Sequence, residues 1–193
     1  MEALRRHRGL IVLSDFDGTL ASLVDQPRAA RLPGPVRRRL TRLAQHPRVR
    51  VGIISGPSLG TLKRLVPVPN AAYAGCHGLE IAWRAARFRH PRAVMLAPLL
   101  RQVGRQLQRK TSRYSGVLVE PKDLTVCLHY RRADPRVVPA LRSIVRQILG
   151  SAPSLELLAG KKALELRPRV TWGKGKAARL LRGLLARSLR ARP

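Results

Sequence analysis

The chain has 193 residues, enough for one domain or one core with a small insert; 45% of them are hydrophobic, which supports a packed core and argues against wholesale disorder. Lys and Arg number 39 against 10 acidic residues, a formal charge of +29. Two cysteines, Cys76 and Cys127, are too few for a disulfide framework, so a reducing, cytoplasmic setting is expected.

The N-terminal stretch Met1 to Arg8 is basic, and the apolar run after it, Leu10-Ile11-Val12-Leu13, spans only four residues. Signal-peptide cores and membrane spans are longer, so a soluble protein without a membrane partner is expected. Residues 9 to 14 read as a strand buried on both faces. Pro33-Gly34-Pro35 punctuates the following loop, and Val36, Leu40, Leu43 and Ala44 then recur at helical spacing until His46-Pro47. Val49 to Ile54 predicts a second strand ending at Ser55-Gly56. Leu59 to Val66 predicts a short helix, and Ala71 to Ala74 a third strand ending at Gly75-Cys76-His77-Gly78. This alternation of strand and helix is the pattern of an α/β parallel sheet.

Near residue 92 the pattern changes. Val94 to Lys110 predicts a helix, Gly116 to Glu120 and Leu124 to Tyr130 two strands, Pro135 to Leu149 a helix, and Leu155 to Leu158 and Lys162 to Leu166 two more strands. This is an α+β module set into the α/β core, so the expected division is a core of residues 1–91 and 166–193 with an insert at 92–165. Lys174 to Arg190 predicts a final helix with Leu180, Leu181, Leu184, Leu185 and Leu189 on one face. A basic amphipathic helix of this kind can also lie on an anionic membrane.

The candidate chemistry lies at the strand ends, where open α/β sheets bind ligands. The first strand delivers Asp15 and Asp17 in Ser14-Asp15-Phe16-Asp17-Gly18-Thr19-Leu20, the second delivers Ser55, and Lys174 opens the last helix. An aspartate there can attack phosphorus, its neighbour can move a proton, and a hydroxyl and a cation can hold phosphate oxygens. With Mg²⁺ this set suits phosphoryl transfer. The arginines are spread along the whole chain and aromatic residues make up only 4%. The charge is therefore read as a bias toward arginine codons, and no specific nucleic-acid partner is expected.

These stretches resemble the haloacid-dehalogenase (HAD) superfamily and, within it, the trehalose-6-phosphate phosphatases. Asp15 to Leu20 is similar to the nucleophile loop and Ile53-Ile54-Ser55-Gly56 to the second motif. Gly75-Cys76-His77-Gly78-Leu79-Glu80, Glu120-Pro121-Lys122, His129-Tyr130-Arg131 and Trp172-Gly173-Lys174-Gly175 are similar to stretches that mark the trehalose branch. The resemblance implies a HAD-like Rossmannoid core with an inserted α+β cap domain, and hydrolysis of trehalose 6-phosphate through an aspartyl-phosphate. Asp15 would be the nucleophile and Asp17 the acid and base, with Mg²⁺ held by the Asp15 carboxylate and the Asp17 backbone carbonyl. Lys174 would pair with Asp15 and the phosphoryl group, while Ser55, Gly56 and Thr19 would line the phosphate site. Glu120, Lys122 and Glu165 of the cap, with His77 and Glu80 of the core, would meet the sugar. The partner would be a small-molecule sugar phosphate and the chain a monomer, a state the residues themselves leave open.

Three departures accompany the resemblance. Pro57 stands where the second motif usually continues with arginine, and Pro121 replaces the aspartate of Glu-Asp-Lys. No Asp or Glu follows Glu165, whereas the family's last motif is an acidic Gly-Asp-Asp stretch that completes the Mg²⁺ site. A truncated or frameshifted product, or an N-terminal fragment, is the expectation, along with an exposed sheet edge and low stability. Three other functional readings stay open: another capped sugar-phosphate phosphatase, a catalytically impaired remnant that only binds sugar phosphates or polyanions, and a nucleic-acid-binding protein driven by charge.

Overall fold

The computed structural model describes residues 9–22 and 31–190; the basic stretch at 1–8 and the final 191–193 lie outside the described residues. The chain divides into two compact units, Met1–Arg89 with Trp172–Pro193, and His90–Thr171.

In the first unit, β1 (Leu10–Ser14), β2 (Val49–Ile54) and β3 (Ala72–Gly75) run parallel, with Val12 opposite Val51 and Ile53 opposite Tyr73. An antiparallel hairpin, β4 (Glu80–Trp83) and β5 (Ala86–Arg89), extends the sheet in the order β1-β2-β3-β4-β5. The helices are α1 (Gly34–Gln45), α2 (Leu59–Leu65) and, from the far end of the chain, Lys174–Arg190, which is α6 in the numbering of the whole molecule. Alternation along the strands sends side chains to two apolar clusters. Val49, Val51, Ile53 and Tyr73 meet Leu40, Ala44 and Leu62 together with Phe16. Ile54, Ala72, Ala74, Ile81 and Trp83 meet Ala177, Leu181 and Leu185 of the Lys174–Arg190 helix.

Two expectations change here. β1 is half-buried, and Leu10 is 40% exposed, because this strand pairs with β2 alone among the described residues; β2, inside the sheet, is buried at every position. The hairpin β4–β5 has no counterpart in the sequence reading. Its strands are four residues each and carry Glu80, Arg87 and Arg89, so neither a period of two nor an apolar run stands out.

The second unit contains α3 (Pro91–Met95), α4 (Ala97–Thr111), β6 (Leu118–Pro121), β7 (Val126–His129), α5 (Val138–Gly150), β8 (Leu155–Gly160) and β9 (Ala163–Pro168). The strands form an antiparallel sheet in the order β6-β7-β9-β8. Where the sequence predicts one helix from 94 to 110, α3 and α4 join at Leu96, with Pro98 in the first turn of α4. β9 runs through residues 165 and 166, the boundary expected from the sequence. One face of the sheet (Val119, Val126, Leu128, Leu164, Leu166) packs on Leu100, Val103 and Leu107 of α4 and on Leu141, Val145 and Ile148 of α5. The two-residue period therefore puts Glu120, Cys127 and Glu165 on the opposite face. They are in register there, Glu120 across from Cys127 and Cys127 across from Glu165.

Candidate functional site

The loop after β1 is built around the carbonyl of Phe16, whose side chain is fully buried. That carbonyl accepts the N–H groups of Thr19, Leu20 and Ala21 at 3.3, 2.9 and 3.1 Å. Gly18 takes a φ of 77°, the left-handed region that favours glycine, and donates its N–H to Ala21. This tight turn leaves Asp15 half-buried and Asp17 and Thr19 exposed.

Asp15 and Asp17 are each held from a distant part of the chain. Asp15 Oδ1 accepts the N–H of Phe16 at 2.8 Å, and its Oδ2 accepts from Lys174 Nζ at 2.7 Å. Lys174 lies 159 residues away in sequence, at the start of α6. Ser55, fully buried at the end of β2, donates its hydroxyl to Asp17 Oδ2 at 2.9 Å. Two carboxylates, a hydroxyl and an ammonium thus stand together at the C-terminal ends of β1 and β2.

A strained turn adjoins them. After β3, Cys76, His77 and Gly78 take φ values of 46°, 55° and 92° in succession. Left-handed residues with a Cβ cost on the order of 1–3 kcal/mol each and persist where their surroundings over-determine them. Here Cys76 N–H donates to Pro57, His77 N–H to the Ser55 carbonyl, and Leu79 N–H to Cys76. The Cys76 thiol donates to Glu80 Oε1 at 3.2 Å, and Trp172 Nε1–H donates to the Gly78 carbonyl at 2.8 Å. A Cβ on Gly56 would stand 3.0 Å from His77 Cε1, so the absence of a side chain at Gly56 lets the imidazole lie beside the Ser55 turn. Glu80 is buried and faces this turn: it receives the Cys76 thiol, and its Oε2 lies 3.7 Å from Arg89 Nε.

The second unit holds a polar cluster of its own. Lys122 Nζ lies 3.0 Å from Glu165 Oε1, the two side chains 7% and 9% exposed, and Thr125 Oγ1 donates to the same oxygen at 2.6 Å. Glu120 Oε2 is 2.8 Å from His129 Nε2, and Cys127 Sγ lies 3.9 Å from His129 Nδ1. Burial pushes the Glu120 carboxyl upward, but the hydrogen bond from His129 and the charge of Lys122 outweigh it and leave the group below its ordinary range. Burial pushes the Lys122 ammonium down, and the charges of Glu165, Cys127 and Glu120 reverse this, so it holds its proton more tightly than a free lysine. Burial likewise drives the Cys127 thiol up to about 12.

The structure thus gathers Asp15, Asp17, Ser55 and Lys174, sets Gly56 against His77, and places Glu120, Lys122 and Glu165 on one sheet face. Thr19 sits exposed in the loop. Sequence reasoning assigns no role to Thr125 or Trp172. The period of two in β7 was the available signal for Thr125, which precedes Cys127 and His129 on their face. For Trp172 it was adjacency to the Gly-Lys-Gly stretch. For a metal, the Asp15 carboxylate and the Asp17 backbone carbonyl, both in one loop, are hard oxygen donors of the kind Mg²⁺ takes alongside water and substrate phosphate. These oxygens suit that ion as part of its shell; among the described residues no group of three or more His, Cys, Asp or Glu side chains is placed to hold a metal.

A family model described as trehalose-phosphatase matches residues 13–188. A trehalose-phosphate phosphatase of Mycobacterium avium (strain 104) is 37% identical over 166 residues, 86% of this chain and 42% of that protein. A probable trehalose-phosphate phosphatase I of Arabidopsis thaliana is 32% identical over 191 residues, 94% of this chain and 51% of that protein. Among solved structures, the C-terminal domain of a C. albicans trehalose-6-phosphate phosphatase has a TM-score of 0.78 at 24% identity, covering 96% of this chain and 64% of that one. A trehalose-6-phosphate phosphatase related protein has a TM-score of 0.79 at 22% identity, covering 91% and 74%. These two likenesses are of fold. The chain spans about half the length of the curated relatives it matches.

Proposed function

The chain belongs to the trehalose-phosphatase family, and on that premise we propose that it hydrolyses trehalose 6-phosphate to trehalose and phosphate through an aspartyl-phosphate on Asp15. The observation that carries this reading is the 2.7 Å contact between Lys174 Nζ and Asp15 Oδ2 across 159 residues of sequence. A carboxylate held this way at a strand end is positioned as a nucleophile, and the ammonium is positioned to balance phosphate charge.

In the first step an Asp15 oxygen attacks phosphorus and the bond from phosphorus to the sugar oxygen breaks, while Asp17 gives that oxygen a proton. In the second, Asp17 takes a proton from water as the water oxygen attacks phosphorus. The acyl-phosphate bond breaks, phosphate leaves, and Asp15 is a carboxylate again. Ser55, whose hydroxyl donates to Asp17 Oδ2, orients that group. The Asp15 carboxylate and the Asp17 backbone carbonyl would hold Mg²⁺, which when bound offsets the repulsion between carboxylate and phosphate, and the Asp17 side chain is left to move the proton. In the second unit, Glu120, Lys122 and Glu165 are assigned to the sugar hydroxyls, with Thr125 and His129 holding the two carboxylates.

The test is release of inorganic phosphate from trehalose 6-phosphate in Mg²⁺ buffer by the 193-residue chain. Asp15→Asn is expected to lower the rate by roughly 10⁴-fold or more. A chain shown to be folded by circular dichroism that releases no phosphate overturns the activity. Full turnover by Asp15→Asn overturns the assignment of the nucleophile.

A further inference from the structure

Lys174 stands between Gly173 and Gly175, and a Cβ built on either glycine meets nothing within 4 Å. On both sides of the ammonium the space where a side chain would stand is therefore open. The nearest anchors are Trp172 upstream and Ala177 downstream, and both rest on one residue, Gly78. The Trp172 indole N–H donates to the Gly78 carbonyl at 2.8 Å, and a Cβ on Gly78 would lie 2.2 Å from the Ala177 Cβ. The other side of the anchor is also fixed: the Trp172 ring stacks on Phe88 of β5, centroids 5.1 Å apart with 28° between the planes. Gly78 in turn ends the strained turn that sets His77 beside Gly56.

We propose that Trp172 is a positioning residue: its N–H bond to Gly78 locks the start of α6 to the 76–78 turn and thereby sets the Lys174 ammonium against Asp15. The idea rests on the phosphatase reading for the role of Lys174. The directional bond matters more than the ring's bulk. A stacked ring can slide along Phe88, whereas an N–H aimed at a carbonyl fixes both the depth and the rotation of the segment two residues before Lys174. A shift of about 1 Å in a charged group at a reacting centre is enough to change rates by orders of magnitude.

The test uses the full chain and tungstate, a tetrahedral oxyanion whose binding can be measured whether or not the protein turns over. Trp172→Phe keeps the stack and removes the donor; it is expected to weaken tungstate about five- to tenfold, to raise KM for trehalose 6-phosphate by a similar factor and to lower kcat. In the Lys174→Ala background the same change should cost nothing further, because its effect runs through Lys174. Phe88→Leu, which loosens the packing and keeps the donor, should retain wild-type affinity. The proposal is overturned by wild-type affinity in Trp172→Phe, by equal losses with and without Lys174, by a loss in Phe88→Leu as large as in Trp172→Phe, or by a wild-type chain that does not bind tungstate. If Trp172→Phe does not fold, Trp172→His, which keeps a ring N–H donor, takes its place and must retain wild-type affinity. Tungstate binding that follows this pattern without phosphate release from trehalose 6-phosphate would refute the substrate assignment and leave the role of Trp172 standing.

Discussion

Gly78 shows how much one missing side chain can decide. Its φ of 92° suits glycine, and a Cβ there would overlap that of Ala177. Gly78→Ala is expected to destabilise the first unit by roughly 2–4 kcal/mol, the sum of a left-handed alanine and an overpacked helix contact, as measured by urea denaturation. Cys127 offers a second check at this scale. Its thiol is 2% exposed and its pKa is raised from 9 to about 12. In native protein at pH 8, Cys127 should stay unreactive to a disulfide reagent and react once the chain is unfolded. The raised value also fixes a pH dependence. Between pH 9 and 12 the unfolded chain has lost the thiol proton while the folded one keeps it, so stability falls as pH rises through that window. Lys122, also shifted upward, acts in the same direction above its ordinary range. Alkaline titration of the melting temperature should show the decline, and Cys127→Ala should make it shallower.

At the scale of elements, β6, β7 and β9 illustrate two faces of one sheet under different rules. The face against α4 and α5 is apolar and needs only volume. The other face carries a nearly buried ion pair, Lys122–Glu165. Such a pair adds little net stability, because desolvation consumes most of the Coulomb gain, but breaking it leaves a buried charge uncompensated. Lys122→Met should therefore cost roughly 3–5 kcal/mol in chemical denaturation, and adding Glu165→Met should recover most of it. A recovery with lost turnover would fit a cluster kept for recognition of polyhydroxylated substrate. The same two-residue alternation that made these strands legible in the sequence also places Glu120, Cys127 and Glu165 together. The hairpin β4–β5 was not legible, because β4 is three apolar residues after Glu80 and β5 alternates arginine with apolar residues over only four positions, each too short to show a period.

Over the whole molecule, the formal charge of +29 has few acidic partners to offset it. No acidic residue occurs between Glu80 and Glu120, a span that includes α3 and α4. Association with heparin or RNA at low ionic strength is expected from this charge alone, with a steep loss of affinity on adding salt and no preference among RNA sequences. A sequence-selective complex that survives 0.2 M salt would show that the arginines do more than reflect composition. Among the described residues no helix is long and apolar enough to cross a membrane.

The sequence by itself determined the strand-and-helix alternation, the α+β insert, and the chemistry-bearing loop Asp15 to Thr19, since these depend on local periodicity and residue type. Partners far apart in the chain were decided by the tertiary structure alone. The 2.7 Å approach of Lys174 to Asp15, the hydroxyl of Ser55 on Asp17 and the indole of Trp172 on Gly78 join segments separated by tens to more than a hundred residues. No periodicity encodes such contacts; they exist because packing of Ala177, Leu181 and Leu185 brings the last helix back onto the sheet that the first strand began.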